Sequence, residues 1–143
     1  MILVAIDPGV STGWARFVDK WLSSCGLGDP QIDHENMAMP TDVIIEVPQV
    51  YRGHLQKGDP NDLITLAVQV GRYAQRSKGL VRLVKPAEWK GQVLKEIHGA
   101  RVLEVLDDAE RGIVALGARP KSKAHNVLDA VGLGLWALGR MKR

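Results

Sequence analysis

The chain has 143 residues, of which 45% are hydrophobic and 24% are charged. This composition is typical of a globular protein and the length suits one core, so we expect a single domain over residues 1–143. Cys25 is the only cysteine, which excludes a disulfide framework and a cysteine-rich zinc site. The sequence has neither a membrane-length apolar run nor a signal-like leader, so we expect a soluble cytoplasmic protein with no membrane partner.

Positive charge is unevenly distributed, although the net charge is only +3. Basic side chains outnumber acidic ones in residues 72–101 and again in residues 119–143. Such a distribution suits a polyanionic partner, and it also occurs on an ordinary solvated surface.

The first half of the chain predicts four strands. An apolar run from Met1 ends at Asp7, and the turn residues Pro8 and Gly9 lead into a return strand over residues 12–18. A third strand is predicted over residues 20–26, and residues 42–47 form a short buried strand near Glu46.

The second half predicts mainly helices. Asp59 and Pro60 mark the start of a helix over residues 60–78, and a fifth strand follows at residues 80–84. A helical stretch then begins at Pro86 and breaks near Gly99, and Ser122 caps a last helix. This order predicts an α/β fold, with a mixed five-stranded sheet flanked by helices.

Three acidic residues occupy positions where acid is unexpected. Asp7 and Glu46 each end an apolar strand, and Asp129 lies in an almost wholly apolar helical segment. On that helix, His125 falls about 40° from Asp129 and Asn126 about 60° away on the other side. All of these side chains can therefore point toward one rim of the sheet.

Carboxylates that are brought together repel one another unless a cation lies between them. Oxygen ligands suit Mg²⁺ or Mn²⁺, and two such ions about 4 Å apart support the attack of water on a phosphodiester. Each acid also has a structural alternative. Asp7 could cap the Pro-Gly turn, Glu46 could pair with Arg52, and Asp129 could pair with a surface lysine.

The sequence resembles the RuvC-type Holliday-junction resolvases of the RNase H-like superfamily, in particular their short phage and viral members. The resemblance is carried by four segments: Ile6–Gly13, Ile44–Gln49, Lys85–Lys95 and His125–Ala130. It implies an RNase H-like fold and a homodimer that makes paired nicks in four-way DNA junctions. It also implies Mg²⁺ as cofactor, with Mn²⁺ able to substitute, and metal-binding roles for Asp7, Glu46 and Asp129. A phage-encoded member would act in the cytoplasm of a bacterial host.

Two positions depart from the family pattern. The family usually has Asp or His three residues before the final Asp, where this chain has Asn126. Asn126 can bind a metal ion through its amide oxygen but cannot act as a base, so His125 is the candidate for proton transfer or ligation. The family also has a base-stacking aromatic residue where this chain has Gln49, and Tyr51 is the candidate for that role.

The basic stretch fits the resemblance better. Lys90 and Lys95 occupy places comparable to the DNA-contacting lysines of the family. Lys85, Arg101, Arg52 and Lys57 are expected to join them on the phosphates of branched DNA, which fix position without reading sequence.

The helix at 60–78 has a wide apolar face, which is either buried within one subunit or forms the interface of the implied homodimer. Three other functions compete with junction resolution. These are an RNase H-like nuclease for flaps or forks, a catalytically inactive DNA-binding module, and a phosphate-binding domain of the actin and sugar-kinase type. The last needs two lobes, for which 143 residues leave no room.

Overall fold

A computed structural model describes residues 1–50 and 58–143 and shows a five-stranded mixed sheet. The strands are β1 (Ile2–Asp7), β2 (Gly13–Val18), β3 (Trp21–Leu27), β4 (Asp42–Glu46) and β5 (Leu80–Val84). Their order across the sheet is β3-β2-β1-β4-β5. The first three strands form an antiparallel meander, and β4 and β5 continue it in parallel with β1. The predicted fold class is confirmed.

Within the described part of the chain, five helices accompany the sheet: α1 (Pro60–Arg76), α2 (Pro86–Trp89), α3 (Lys95–Val105), α4 (Asp108–Gly117) and α5 (Ala124–Ala137). Helix α1 starts as predicted, with the Asp59 side chain accepting a hydrogen bond from the backbone N–H of Asn61. Among the described residues, the helices all fall short of the length and apolarity that a membrane crossing requires.

Three local predictions were wrong. The third strand starts at Trp21 because Asp19 and Lys20 form the preceding turn with positive φ angles of 47° and 76°. Gly99 does not break the helical stretch. It is buried inside α3, where an added Cβ would lie 3.3 Å from the Leu128 side chain.

Ser122 does not cap the last helix. It lies within a 3-10 turn over residues 121–123, and α5 begins at Ala124 without a side-chain cap. Lys123, at the N-cap position, has no short side-chain oxygen with which to accept a hydrogen bond from the helix.

Strand alternation separates the interior into two cores, because successive side chains of a strand point to opposite faces. Leu3 and Ala5 of β1 pack with α5 and its neighbouring helices, whereas Val4 and Ile6 pack on the other face with Val70 of α1. The same alternation places Asp7 on the α5 side. In β4, Ile44 faces that side too, so Glu46 follows it there.

Helix α5 makes an unusually close backbone contact with the sheet at Gly13. A Cβ on this residue would lie 1.9 Å from the backbone carbonyl oxygen of Asn126 and 3.0 Å from the backbone nitrogen of Val127. Gly13 is also the β2 residue that pairs with Asp7 of β1. The absence of a side chain at this position therefore lets the start of α5 lie directly over the end of β1.

We expect Gly13→Ala to lower the free energy of unfolding by about 2–3 kcal/mol, because the clash is with backbone atoms that cannot rotate away. Chemical denaturation of the variant measures this loss. Gly112→Ala is the matched control, since a Cβ there has open space and lies within α4. That control should gain up to about 1 kcal/mol from helix propensity. Equal stability of the Gly13 variant and the wild type would contradict the close-contact interpretation.

Candidate metal and phosphate site

The carboxyl ends of β1 and β4 place two acids next to each other. The strands are parallel and adjacent, and Ile6 is paired with Ile45. The next residue is therefore Asp7 on β1 and Glu46 on β4, and both are half-buried at the same edge of the sheet. Parallel strands present their carboxyl ends together, which explains why two separated sequence motifs converge.

Asp129 completes a group of three acids from the side of α5. It lies one helical turn beyond Asn126, whose carbonyl contacts Gly13. Burial raises the pKa of Asp7 well above its ordinary value, and the negative charges of Glu46 and Asp129 raise it further. Among the described residues, none donates a hydrogen bond to the Asp7 carboxylate, so the alternative role as a turn cap lacks support.

The residue that ends α2 brings a positive charge into this group. The Lys90 ammonium lies 3.7 Å from Oε2 of Glu46 and 3.5 Å from Oδ2 of Asp129. Burial alone would lower the pKa of Lys90, but the carboxylates of Glu46, Asp129 and Asp7 outweigh it and raise that pKa. Lys90 was predicted to lie on the DNA-binding surface. The structure places its ammonium among the three acids, with the side chain 23% exposed, and its role in DNA binding stays a prediction.

The indole of Trp89 holds Glu46 directly. Its Nε1–H donates a 2.7 Å hydrogen bond to Oε2 of the carboxylate. Burial raises the pKa of Glu46, while Lys90 and this hydrogen bond act in the opposite direction. The alternative pairing of Glu46 with Arg52 lies outside the described residues.

His98 is a second neighbour that the sequence did not reveal. It is 3% exposed, and its Nε2 lies 3.4 Å from Oδ1 of Asp129. Its ring meets that of Trp89 edge to face at 5.1 Å between centroids. The basic stretch after β5 predicted a role for the lysines near Trp89. Nothing in the sequence, however, distinguishes a buried histidine in α3 from an exposed one.

His125 and Asn126, the two residues predicted to complete the metal site, differ in their placement. His125 is exposed and lines a separate cavity with Lys95 and Leu103 of α3. Asn126 is half-buried, and the contact that the structure records for it is the backbone one at Gly13. Catalytic or ligand roles for these two residues stay predictions.

The remaining predicted DNA contacts differ in their placement. Lys85 and Lys95 are exposed, and the charge of Lys95 acts to lower the pKa of Asp7. Arg101 is half-buried and donates a hydrogen bond to the backbone carbonyl of Lys142 at 3.2 Å. Predictions for Tyr51, Arg52 and Lys57 lie outside the described residues. Gln49, at the family's aromatic position, lines a cavity with Asp7 and Glu46.

The donor chemistry of the three acids fits a hard divalent cation, because each offers carboxylate oxygens and burial penalises their uncompensated charge. Within residues 1–50 and 58–143, no three Asp, Glu, His or Cys side chains lie close enough together to hold a metal ion directly. Lys90 supplies the compensating positive charge in this arrangement. Metal binding would therefore draw the carboxylates together and take over part of that compensation.

Comparisons with known proteins agree at the level of the fold. No family model matches the sequence, and no curated protein does so either. Among solved structures, the fowlpox virus resolvase in complex with its substrate Holliday junction DNA is 18% identical with a TM-score of 0.58, and the match covers 97% of each chain.

A bacterial structure gives the same result. RuvC of T. thermophilus in complex with a Holliday junction substrate is 22% identical with a TM-score of 0.57, and the match covers 99% of this chain and 98% of that one. At these identities the likeness establishes the architecture, and it extends over nearly the whole length of both relatives. The chain therefore shares the fold of these two proteins.

Proposed function

We propose that this protein is a metal-dependent endonuclease that resolves four-way DNA junctions by paired phosphodiester hydrolysis. The observation that most strongly supports this function is the convergence of Asp7, Glu46 and Asp129 at one edge of the sheet. There, burial and the negative charges of the other two acids raise the pKa of Asp7. Their location on a fold shared with two proteins described as bound to Holliday-junction DNA supports the choice of substrate.

The three acids would hold divalent metal, with Mg²⁺ proposed as the cofactor and Mn²⁺ as a substitute. When bound, a pair of such ions supplies an activated water and stabilises the leaving oxygen in phosphodiester hydrolysis. The protein's own contribution is to hold the carboxylates on three rigid elements in a partly buried site. The Lys90 ammonium, which lies 3.7 Å from Glu46 and 3.5 Å from Asp129, would be available beside these acids to bind a phosphate oxygen.

Substrate binding would use the exposed basic side chains next to the site. Lys85 and Lys95 flank the segment that carries Trp89 and Lys90, and both can contact phosphates without reading bases. An enzyme that recognises junction shape needs no base-reading helix. Because counterions are released on binding, affinity should fall steeply with salt.

Helix α1 supplies the surface proposed for the homodimer. Only Val70 and Tyr73 of this 17-residue helix are buried, whereas Ile64 and Val68 are 64% and 52% exposed. Gly71 lies on the same stripe, and a Cβ there would meet no other atom. A small residue beside two exposed apolar ones suits close packing with the same helix of a second subunit. Paired nicks require two such subunits.

We expect Asp7→Asn to reduce Mg²⁺-dependent cleavage of a synthetic four-way junction by at least about a thousandfold, as removal of an essential catalytic group does. Junction affinity in EDTA should stay within a few-fold of wild type, because the phosphate-binding lysines are unchanged. Gel assays of cleavage and of binding measure the two quantities separately. Glu104→Gln, an exposed position on α3, is the matched control.

A panel of substrates distinguishes resolution from the competing functions. Wild-type protein should place symmetric nicks in the junction and leave linear duplex intact. Cutting of flaps or forks in preference to junctions would favour the alternative nuclease. Tight binding without any cleavage in Mg²⁺ or Mn²⁺ would favour an inactive DNA-binding module.

Val68→Glu should convert the dimer to monomer, since it places a charge in the middle of the proposed apolar interface. Sedimentation velocity measures the change, and paired nicking should give way to single nicks. Leu116→Glu makes the same chemical change at an exposed site on α4, 72% exposed in the wild type, and should leave the dimer intact. Equal sedimentation of wild type and the Val68 variant would contradict this interface.

A further inference from the structure

We propose that Trp89 and His98 form a positioning pair that orients Glu46 and Asp129 for metal binding. This inference rests on the proposed function, because it deepens the account of the same three acids. Neither residue is one of the three acids. Each reaches a different carboxylate from the α2 and α3 side, and the two rings contact each other.

The case for His98 rests on burial and an unsatisfied nitrogen. The residue is 3% exposed, and its Nε2 has no hydrogen-bond partner among the described residues. Buried polar nitrogens without a partner are rare in native proteins and call for an explanation. The nearest acid is Asp129, whose Oδ1 lies 3.4 Å away, so a small rotation of that carboxylate makes the bond.

The case for Trp89 rests on a short hydrogen bond from a wholly buried ring. Trp89 is 0% exposed, and its indole N–H donates to Oε2 of Glu46 at 2.7 Å. A rigid indole fixes the direction of that oxygen far better than a lysine, whose long chain rotates freely. Trp89 therefore holds the Glu46 oxygen that also faces the Lys90 ammonium.

The space for the pair is provided by Gly132, one helical turn beyond Asp129. A Cβ at this position would lie 3.0 Å from Nε2 of His98 and 3.1 Å from Cζ3 of Trp89. Both rings therefore pack against the backbone of α5 directly behind Asp129. This arrangement links α2, α3 and α5 into one wall of the site.

A positioning role predicts weakened metal binding with little effect on the fold or on junction affinity. Groups that orient metal ligands typically change metal affinity by about 10–100-fold when removed. His98→Leu and Trp89→Phe should each raise the Mn²⁺ dissociation constant, measured by calorimetry without DNA, by that amount. His98→Gln keeps a side-chain N–H near the same point and should restore affinity to within about threefold of wild type.

Two controls separate positioning from general damage. Trp21→Phe and His34→Gln change exposed residues of the same types, at 58% exposure for Trp21, and should leave the Mn²⁺ affinity unchanged. Cleavage by the His98 and Trp89 variants should return to within a few-fold of wild type at saturating Mn²⁺, whereas loss of a catalytic group would not be recovered. Circular dichroism verifies folding, and the two conservative variants remain informative if His98→Leu does not fold.

The proposal is overturned if folded Trp89→Phe and His98→Leu bind Mn²⁺ as tightly as wild type, or if His98→Gln is no better than His98→Leu. The proposed function fails in a different way. Wild-type protein that binds Mn²⁺ but cuts no junction would refute junction resolution, and the calorimetric comparison would still decide the role of the pair.

Discussion

The site depends first on how closely α5 lies against the sheet. The contact between the carbonyl of Asn126 and the bare backbone of Gly13 sets the height of the helix above β2. Because Gly13 is paired with Asp7, that height also sets the position of Asp129, one turn further along, relative to the end of β1. A side chain at residue 13 would lift the helix and separate the acids. The glycine in the Thr-Gly motif is thus explained by packing.

The second constraint is electrostatic. Two parallel strand ends and one helix bring three acids into a partly buried place, and the cost appears as the raised pKa values of Asp7 and Glu46. The apolar cores on both faces of the sheet provide the stability that tolerates this cost. Lys90 relieves part of the repulsion, and a divalent cation would relieve more of it. The repulsion between these carboxylates therefore favours the binding of a cation at this edge of the sheet.

Much of this arrangement could be predicted from sequence because it follows from short-range rules. The ends of two apolar runs located Asp7 and Glu46, and helical periodicity indicated that Asp129 can point toward the same rim of the sheet. What could not be predicted depends on packing between distant segments. Lys90 follows Trp89, which packs against Gly132 of α5, and a basic run gives no indication that one of its lysines points inward.

The contacts of Trp89 and His98 with the acids could not be predicted from the sequence for the same reason. Whether an aromatic or a histidine is buried depends on which helix covers it, and Gly132 provides that room from a segment more than thirty residues away. Gly99 was misread because glycine both ends helices and permits close helix packing, and only the neighbouring Leu128 distinguishes the two. The ends of α1 and the Asp59 cap, by contrast, are local features and were correctly located to within two residues.

The central claim is that Asp7 is held in a crowded group of acids that a divalent cation stabilises. Thermal unfolding of wild type and Asp7→Asn, with and without Mg²⁺ at pH 7, tests it most directly.

The pKa of Asp7 is raised in the folded protein. The ionised carboxylate therefore destabilises the metal-free protein once the pH exceeds the pKa of Asp7 in the unfolded chain, which is near 4. The account predicts that Asp7→Asn melts higher than wild type without metal, by about 4 °C per kcal/mol regained, and that this gain disappears at pH 4. Mg²⁺ should raise the melting temperature of wild type only. A variant that melts lower than wild type without metal, and still responds fully to Mg²⁺, would contradict the account.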